Sequence, residues 1–151
     1  MPDGLYERDV LAWSQHQADL LRRLERGERV NDVDWTNVVE EIESVGLSEL
    51  NALRSFLRLI LTHLLKIHAS PNSDARNHWL GEIVVFQAEA TERFSPSMRQ
   101  RIDIERLYAT ALKQLQTIDS SLKLPQVNPF TLDDLLTEDA NGLLSRLPPL
   151  A

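Results

Sequence analysis

The sequence predicts an all-α protein, a single-domain up-and-down helical bundle of about five main helices with a short C-terminal helix. Three observations predict it. Apolar residues recur at 3.6-residue spacing along most of the 151 residues. No stretch shows the two-residue alternation of a half-buried strand. The stop and start signals Gly27, Gly46, Pro71 and Ser95-Pro96 fall between the periodic stretches.

The first helix spans Leu5 to Leu24, where Leu5, Asp9, Trp13, Gln17, Leu20, Leu21 and Leu24 fall near one stripe, and it closes near Gly27. Asp34 stands where an N-cap belongs. Trp35, Val38, Ile42 and Val45 form the stripe of a short second helix, and Gly46 suits its left-handed C′ position. Ser48 caps a third helix through about Ala69, with Leu50, Leu53, Phe56, Leu57, Ile60, Leu64 and Ile67 on one face. Leu59, Leu61 and Leu65 widen that face until the helix is apolar nearly all round and therefore central.

Pro71 forbids continuation. A fourth helix follows from about Asp74 to Phe94, carrying Trp79, Ile83, Phe86, Ala90 and Phe94 inward. Ser95-Pro96 opens a fifth, read to about Leu122 and expected to be the longest, with Met98, Ile102, Leu107, Ala111, Leu115, Ile118 and Leu122 as its stripe. TLDD is a capping box for a sixth helix over Leu132 to Leu136, and SRLPPLA is a tail that docks or frays. The expected organisation is one domain over 1–151, with a core at about 5–122 and an appendage at 123–151.

Composition narrows the function classes. With 42% hydrophobic and 26% charged residues the chain is of ordinary globular character. The absence of cysteine removes disulfides, thiolate nucleophiles and thiolate metal sites. The longest apolar stretch, FLRLILTHLLKI, is interrupted by Arg58, His63 and Lys66, and MPDGLYERDVLAW has no secretory pattern. A cytoplasmic location without a membrane is therefore expected. A net charge of −7 argues against nucleic acid, and Glu92, Asp103 and Glu105 are interleaved with the cluster Arg93, Arg99, Arg101 and Arg106. Five glycines are too few, and too dispersed, for a phosphate loop or a nucleophile elbow.

Two groups of residues carry whatever chemistry there is. DWTNVVEEIESVG, residues 34–46, holds four carboxylates, and no Lys or Arg occurs from Val30 to Leu53. On a helical wheel Glu40 lies opposite the stripe and Glu41 and Glu43 flank it, so Glu40 and Glu43, with Glu49, form a solvated or partner-docking edge. Asp34 and Glu41 keep a site reading.

The second group contains histidine. The residue three before each of His16, His63, His68 and His78 is Trp13, Ile60, Leu65 or Ala75, so the Glu-x-x-His pair of di-iron bundles is missing. An antiparallel hairpin around Pro71 would put His63 beside Leu80 and Lys66 beside Asn77, level with His78, Trp79 and Glu82. A second hairpin near Leu47 would bring Asp34 and Trp35 to the same end. Asp34, Glu41, His63, Lys66, His78 and Trp79 are thus the ligand-binding candidates. His63 and His78 are candidate ligands for a divalent metal, and Lys66 is a contact for an anion. Trp13, Trp35 and Trp79 read mainly as core.

The chain resembles the domain of unknown function 29 family. The residues that carry the resemblance are LYERDVLAWSQHQADLLR (5–22), DWTNVVEEIESVGLSE (34–49), LTHLLKIHASP (61–71), His78-Trp79 followed by Glu82-Ile83, and NPFTLDDLL (128–136). The resemblance implies a helical fold and a bacterial cytoplasmic protein, and it carries over no activity. The functional expectation is a protein-interaction or regulatory module without catalytic activity, acting on a protein partner or on itself. The alternative is a small metal- or ligand-binding bundle with its site around His63.

Overall fold

The computed structural model describes residues 4–150, which form helices and no strand. In chain order they are α1 (Leu5–Arg8), α2 (Val10–Glu25), α3 (Trp35–Ala69), α4 (Arg76–Arg93), a 3-10 helix (Pro96–Arg101), α5 (Ile104–Ile118), α6 (Leu132–Thr137) and α7 (Ala140–Ser145). The all-α class follows from the periodicity. Four boundaries differ from those the sequence suggests, each for a local reason.

The first is Asp9. It leaves the helix to cap α2, its carboxylate accepting from the Ala12 amide at 3.0 Å, so the stripe read from Leu5 onward is interrupted there. Gly27 does take the left-handed conformation that ends α2, with φ 85°, its N–H donating to the Leu24 carbonyl and that of Glu28 to Arg23.

The second is Gly46, which has no positive φ and lies inside α3. A helical glycine costs ~1 kcal/mol, less than the turns on either side gain by staying helical. The expected second and third helices are therefore one element of 35 residues, and α3 is the longest in place of α5. The hairpin near Leu47 does not exist.

The third is Asp103. It caps α5 by accepting from the Arg106 amide at 3.1 Å, which divides the expected fifth helix into a 3-10 turn and an α-helix ending at Ile118. The fourth is the tail. Asp139 caps an additional helix, α7, and Leu143 and Leu147 are buried, so this end docks. The capping box is present as read: Thr131 and Asp134 each accept from the other's backbone N–H.

The chain divides into two compact units, Met1–Ser48 and Glu49–Ala151. In the first, Trp13, Leu20, Val33 and Val38 form the buried cluster, with Leu5, Tyr6, Leu21, Leu24 and Val30 packed on it. Of the stripe read on the first turns of α3, only Val38 is buried. Trp35 (57%), Ile42 (67%) and Val45 (68%) are exposed, which corrects the expectation that this stripe is core and Trp35 a core tryptophan. The helix has turned its Asp34, Asn37, Val38 and Glu41 side inward, because Asp34 and Glu41 find hydrogen-bond partners there.

In the second unit, Leu53, Leu57, Ile60, Leu61, Leu64 and Leu65 of α3 are fully buried, so this part of α3 is central as its composition requires. Ile83 and Ala90 of α4, Tyr108, Ala111 and Leu115 of α5, Leu135 and Leu143 complete the core. Phe130 and Leu124 close it from the loops, and the Tyr108 hydroxyl donates to the Pro125 carbonyl at 2.6 Å. Among the described residues no helix is long and apolar enough to cross a membrane.

Candidate functional site

The turn between α3 and α4 occupies residues 70–75, so its midpoint lies one residue beyond the one assumed from Pro71. The facing partners move along α4 by two positions. His63 meets Glu82 instead of Leu80, and the Lys66 ammonium stands over Trp79 at 5.8 Å instead of beside Asn77. Both pairs are antiparallel neighbours fixed by the leucine-rich core beneath them.

Glu82 is the hub of this cluster. One carboxylate oxygen pairs with Nε2 of His63, and the other lies 3.1 Å from Nε2 of His78, one helical turn earlier on α4. His63 is buried, its Nδ1 is 2.8 Å from the Leu59 carbonyl and its ring stands edge-on to Phe86 at 5.2 Å. A carbonyl can only accept, so Nδ1 carries a proton, and Nε2 is the ring nitrogen turned to Glu82. The geometry is that of a buried imidazole–carboxylate pair with the exposed His78 imidazole beside it. The hydrogen bond from His63 holds the Glu82 carboxyl below its ordinary range, helped by the charges of His63, His78 and Lys66. Such a pair can move a proton or hold an anion against Lys66. No group of three His, Asp or Glu side chains is placed to hold a metal ion among the described residues.

Sequence reasoning named His63, Lys66, His78 and Trp79 as a group, and they do lie together in the second unit. It placed Glu82 level with them without giving it a role. The four-residue spacing from His78 to Glu82, which puts both on one face of α4, was the available signal.

Asp34 and Glu41 belong to the first unit. Asp34 precedes α3, and its carboxylate accepts from the Trp13 indole N–H at 3.0 Å and from the Asn37 side chain at 2.8 Å, with the Asn37 amide at 3.5 Å. The Asn37 hydrogen bond is the main reason its carboxyl titrates below the usual value. Its own amide donates to the side-chain oxygen of buried Gln17 at 2.8 Å. The Tyr6 hydroxyl donates to Glu41, which pushes the phenol up to about 12, and the Tyr6 ring meets Trp13 edge-on at 4.8 Å. A cavity of about 320 Å³ opens beside Tyr6, Trp13, Gln17 and Asp34. Trp13 and Gln17 were read only as part of a helical stripe and Tyr6 was given no role; their polar ends could not be paired without knowing what faced them.

The interaction-edge residues divide similarly. Glu40 and Glu43 are exposed on α3 in the first unit, which also carries an open row of Trp35, Val39, Ile42 and Val45. Glu49 begins the second unit, with its carboxylate 3.8 Å from the Arg93 guanidinium.

Comparison with known proteins agrees with the fold. An alpha-helical protein of unknown function from Rhodospirillum rubrum, known from its crystal structure, is 31% identical, with a TM-score of 0.72 over 95% of this chain and 98% of that one. No curated protein matches. The model of a domain of unknown function, DUF29, matches residues 5–140, and on that match the chain belongs to the DUF29 family.

Proposed function

We propose that this protein is a docking module, and that the first turns of α3 hold a partner through the row Trp35, Val39, Ile42 and Val45. The supporting observation is the exposure of that row, 49% to 68% of each residue, on a helix that commits Asp34 and Glu41 to Trp13, Gln17 and Tyr6 along its first turns, with Val45 one turn beyond them. Single exposed apolar residues are ordinary, whereas four along one helix face form a contiguous patch. Glu43 borders it, Glu40 follows about 60° further around the helix, and no Lys or Arg occurs from Val30 to Leu53. The occupant this chemistry fits is an amphipathic helix with a basic border, its apolar face on Ile42 and its cations on the two carboxylates. A second copy of the same segment would oppose carboxylate to carboxylate.

The test is a titration of the full chain with a helical peptide of leucine and lysine heptads, read by tryptophan fluorescence, alongside sedimentation velocity of the protein alone. The wild type binds in a salt-sensitive manner, Ile42→Asp abolishes binding, and the Glu40→Lys, Glu43→Lys double variant weakens it by about tenfold. Equal binding by Ile42→Asp defeats the proposal. A wild-type dimer that Ile42→Asp dissolves assigns the face to self-association and overturns the partner reading.

A second reading rests on Glu82 with its two imidazoles: a small ligand or divalent ion held around His63, with His78 beside it and Lys66 as the anion contact. Its test is the metal content of untagged protein by mass spectrometry, with thermal melts in chelator and in added zinc. A stoichiometric ion whose removal lowers the melting temperature supports this reading. For a ligand, loss of binding in a folded His63→Ala variant does the same, and a destabilised variant that never bound anything marks His63 as structural.

A further inference from the structure

Seen along the chain, the arginines near residue 100 are cancelled by their acidic neighbours. In space they are sorted. Within the second unit Arg93 pairs with Glu89, Arg99 with Asp133 and Arg146 with Asp134 and Glu138. Arg101 and Arg106 have no carboxylate partner among the described residues, and neither do Arg54 and Arg58 of α3.

These four line two adjoining grooves. One, of about 370 Å³, is lined by Arg54, Arg101, Asp103 and Arg106; the other, of about 350 Å³, by Arg54, Arg58, Asn51 and Ser55. Arg54, Leu107 and Thr110 belong to both. Arg54 is fixed where the grooves meet, donating to the Asn51 side chain at 3.1 Å and to the Arg101 carbonyl at 2.8 Å. Asp103 is the one carboxylate present, and it is engaged in capping α5 through the Arg106 amide.

We infer that this double groove binds a small anion carrying two or more phosphoryl groups. Four guanidinium groups facing one carboxylate, in a chain of net charge −7, leave a concentration of positive charge that the fold does not neutralise. Guanidinium presents its donors as a planar fork that matches phosphate oxygens two at a time, and Ser55 and Asn51 add neutral donors. Arg58 lies in one groove and Arg101 and Arg106 in the other, so an anion that uses all of them carries charge at both ends, with Arg54 between. The volumes are those of small-molecule sites. The overall negative charge opposes the long phosphate track of a nucleic acid, which would meet acidic surface beyond the patch.

The experiment is calorimetric titration of the full chain with tripolyphosphate at physiological salt, with orthophosphate, sulfate and a single-stranded oligonucleotide as comparisons. Arg101→Gln and Arg106→Gln remove exposed side chains that make no hydrogen bond, so the fold survives, and each weakens tripolyphosphate about tenfold. Arg99→Gln, which removes a paired arginine outside the grooves, leaves affinity unchanged. Orthophosphate and sulfate bind at least tenfold more weakly than tripolyphosphate. The inference is overturned if tripolyphosphate does not bind, if both groove variants bind it as the wild type does, if orthophosphate binds equally well, or if the oligonucleotide binds more tightly.

Discussion

Replacing Ile60 and Ile42 in turn with alanine performs the same chemical change twice on α3, with a large cost at one site and almost none at the other. Ile60 is fully buried in the second unit and Ile42 is 67% exposed in the first. Isoleucine to alanine removes three carbons, worth ~2.4 kcal/mol of transfer free energy when all are buried. The space they leave at Ile60 is walled by leucines already in contact, so an added cavity penalty brings the expected loss to about 3–4 kcal/mol. At Ile42 only one-third of the side chain is covered, so the transfer loss is ~0.8 kcal/mol. Alanine's better helix propensity returns about 0.4 kcal/mol of that. The net effect there is under about 0.5 kcal/mol. Urea melts followed by circular dichroism at 222 nm, at micromolar protein, measure both. If Ile42→Ala costs as much as Ile60→Ala, the outer face of α3 is covered in the folded protein, and the reasoning behind the docking surface fails.

Three further outcomes follow from particular residues. Gly46→Ala should stabilise the protein by ~1 kcal/mol, because Gly46 is helical with open space where a Cβ would stand; a loss of stability would mean that a left-handed C-cap forms there after all. Glu82 has a lowered carboxyl pKa in the fold, so its contribution is complete above the unfolded value near 4.5 and fades as pH falls through the lower, folded one. Stability should therefore drop more steeply below pH 4.5 in the wild type than in Glu82→Gln, and identical acid profiles would show that the His63 pairing is absent. Both tyrosines, Tyr6 and Tyr108, are pushed up to about 12, the first by donating to Glu41 and the second by burial. Absorbance at 295 nm should thus show no tyrosinate step near pH 10 while the protein stays folded. Since the folded values are raised, the stability these groups contribute is lost as pH rises from 10 toward 12, and a full step at pH 10 would refute both environments.

The sequence by itself determined the all-α class, the buried face of α3 from Leu53 to Leu65, the end of α2 at Gly27 and the capping box at Thr131. Each depends on contacts a few residues apart: a 3.6-residue period, a left-handed glycine, a side chain that reaches its own helix end. It also grouped His63, Lys66, His78 and Trp79, because a helical hairpin fixes facing partners once its turn is located, to within the two positions by which the turn was misplaced. Only the tertiary structure decided the rest. Whether Gly46 ends a helix is a contest between one residue's entropy and the stability of the turns on both sides, which local signals cannot weigh. Which side of Trp35–Val45 is buried was set by the hydrogen bonds of Asp34 with Trp13 and of Glu41 with Tyr6, more than 20 residues away in the chain. Whether the charge of Arg101 and Arg106 gathers into an open patch depends in the same way on distant residues: Asp133 takes Arg99, while Arg54 and Arg58 arrive from another helix. Charge and polarity are inherited from the chain, but whether a charged group is paired or left open is a property of what folds against it.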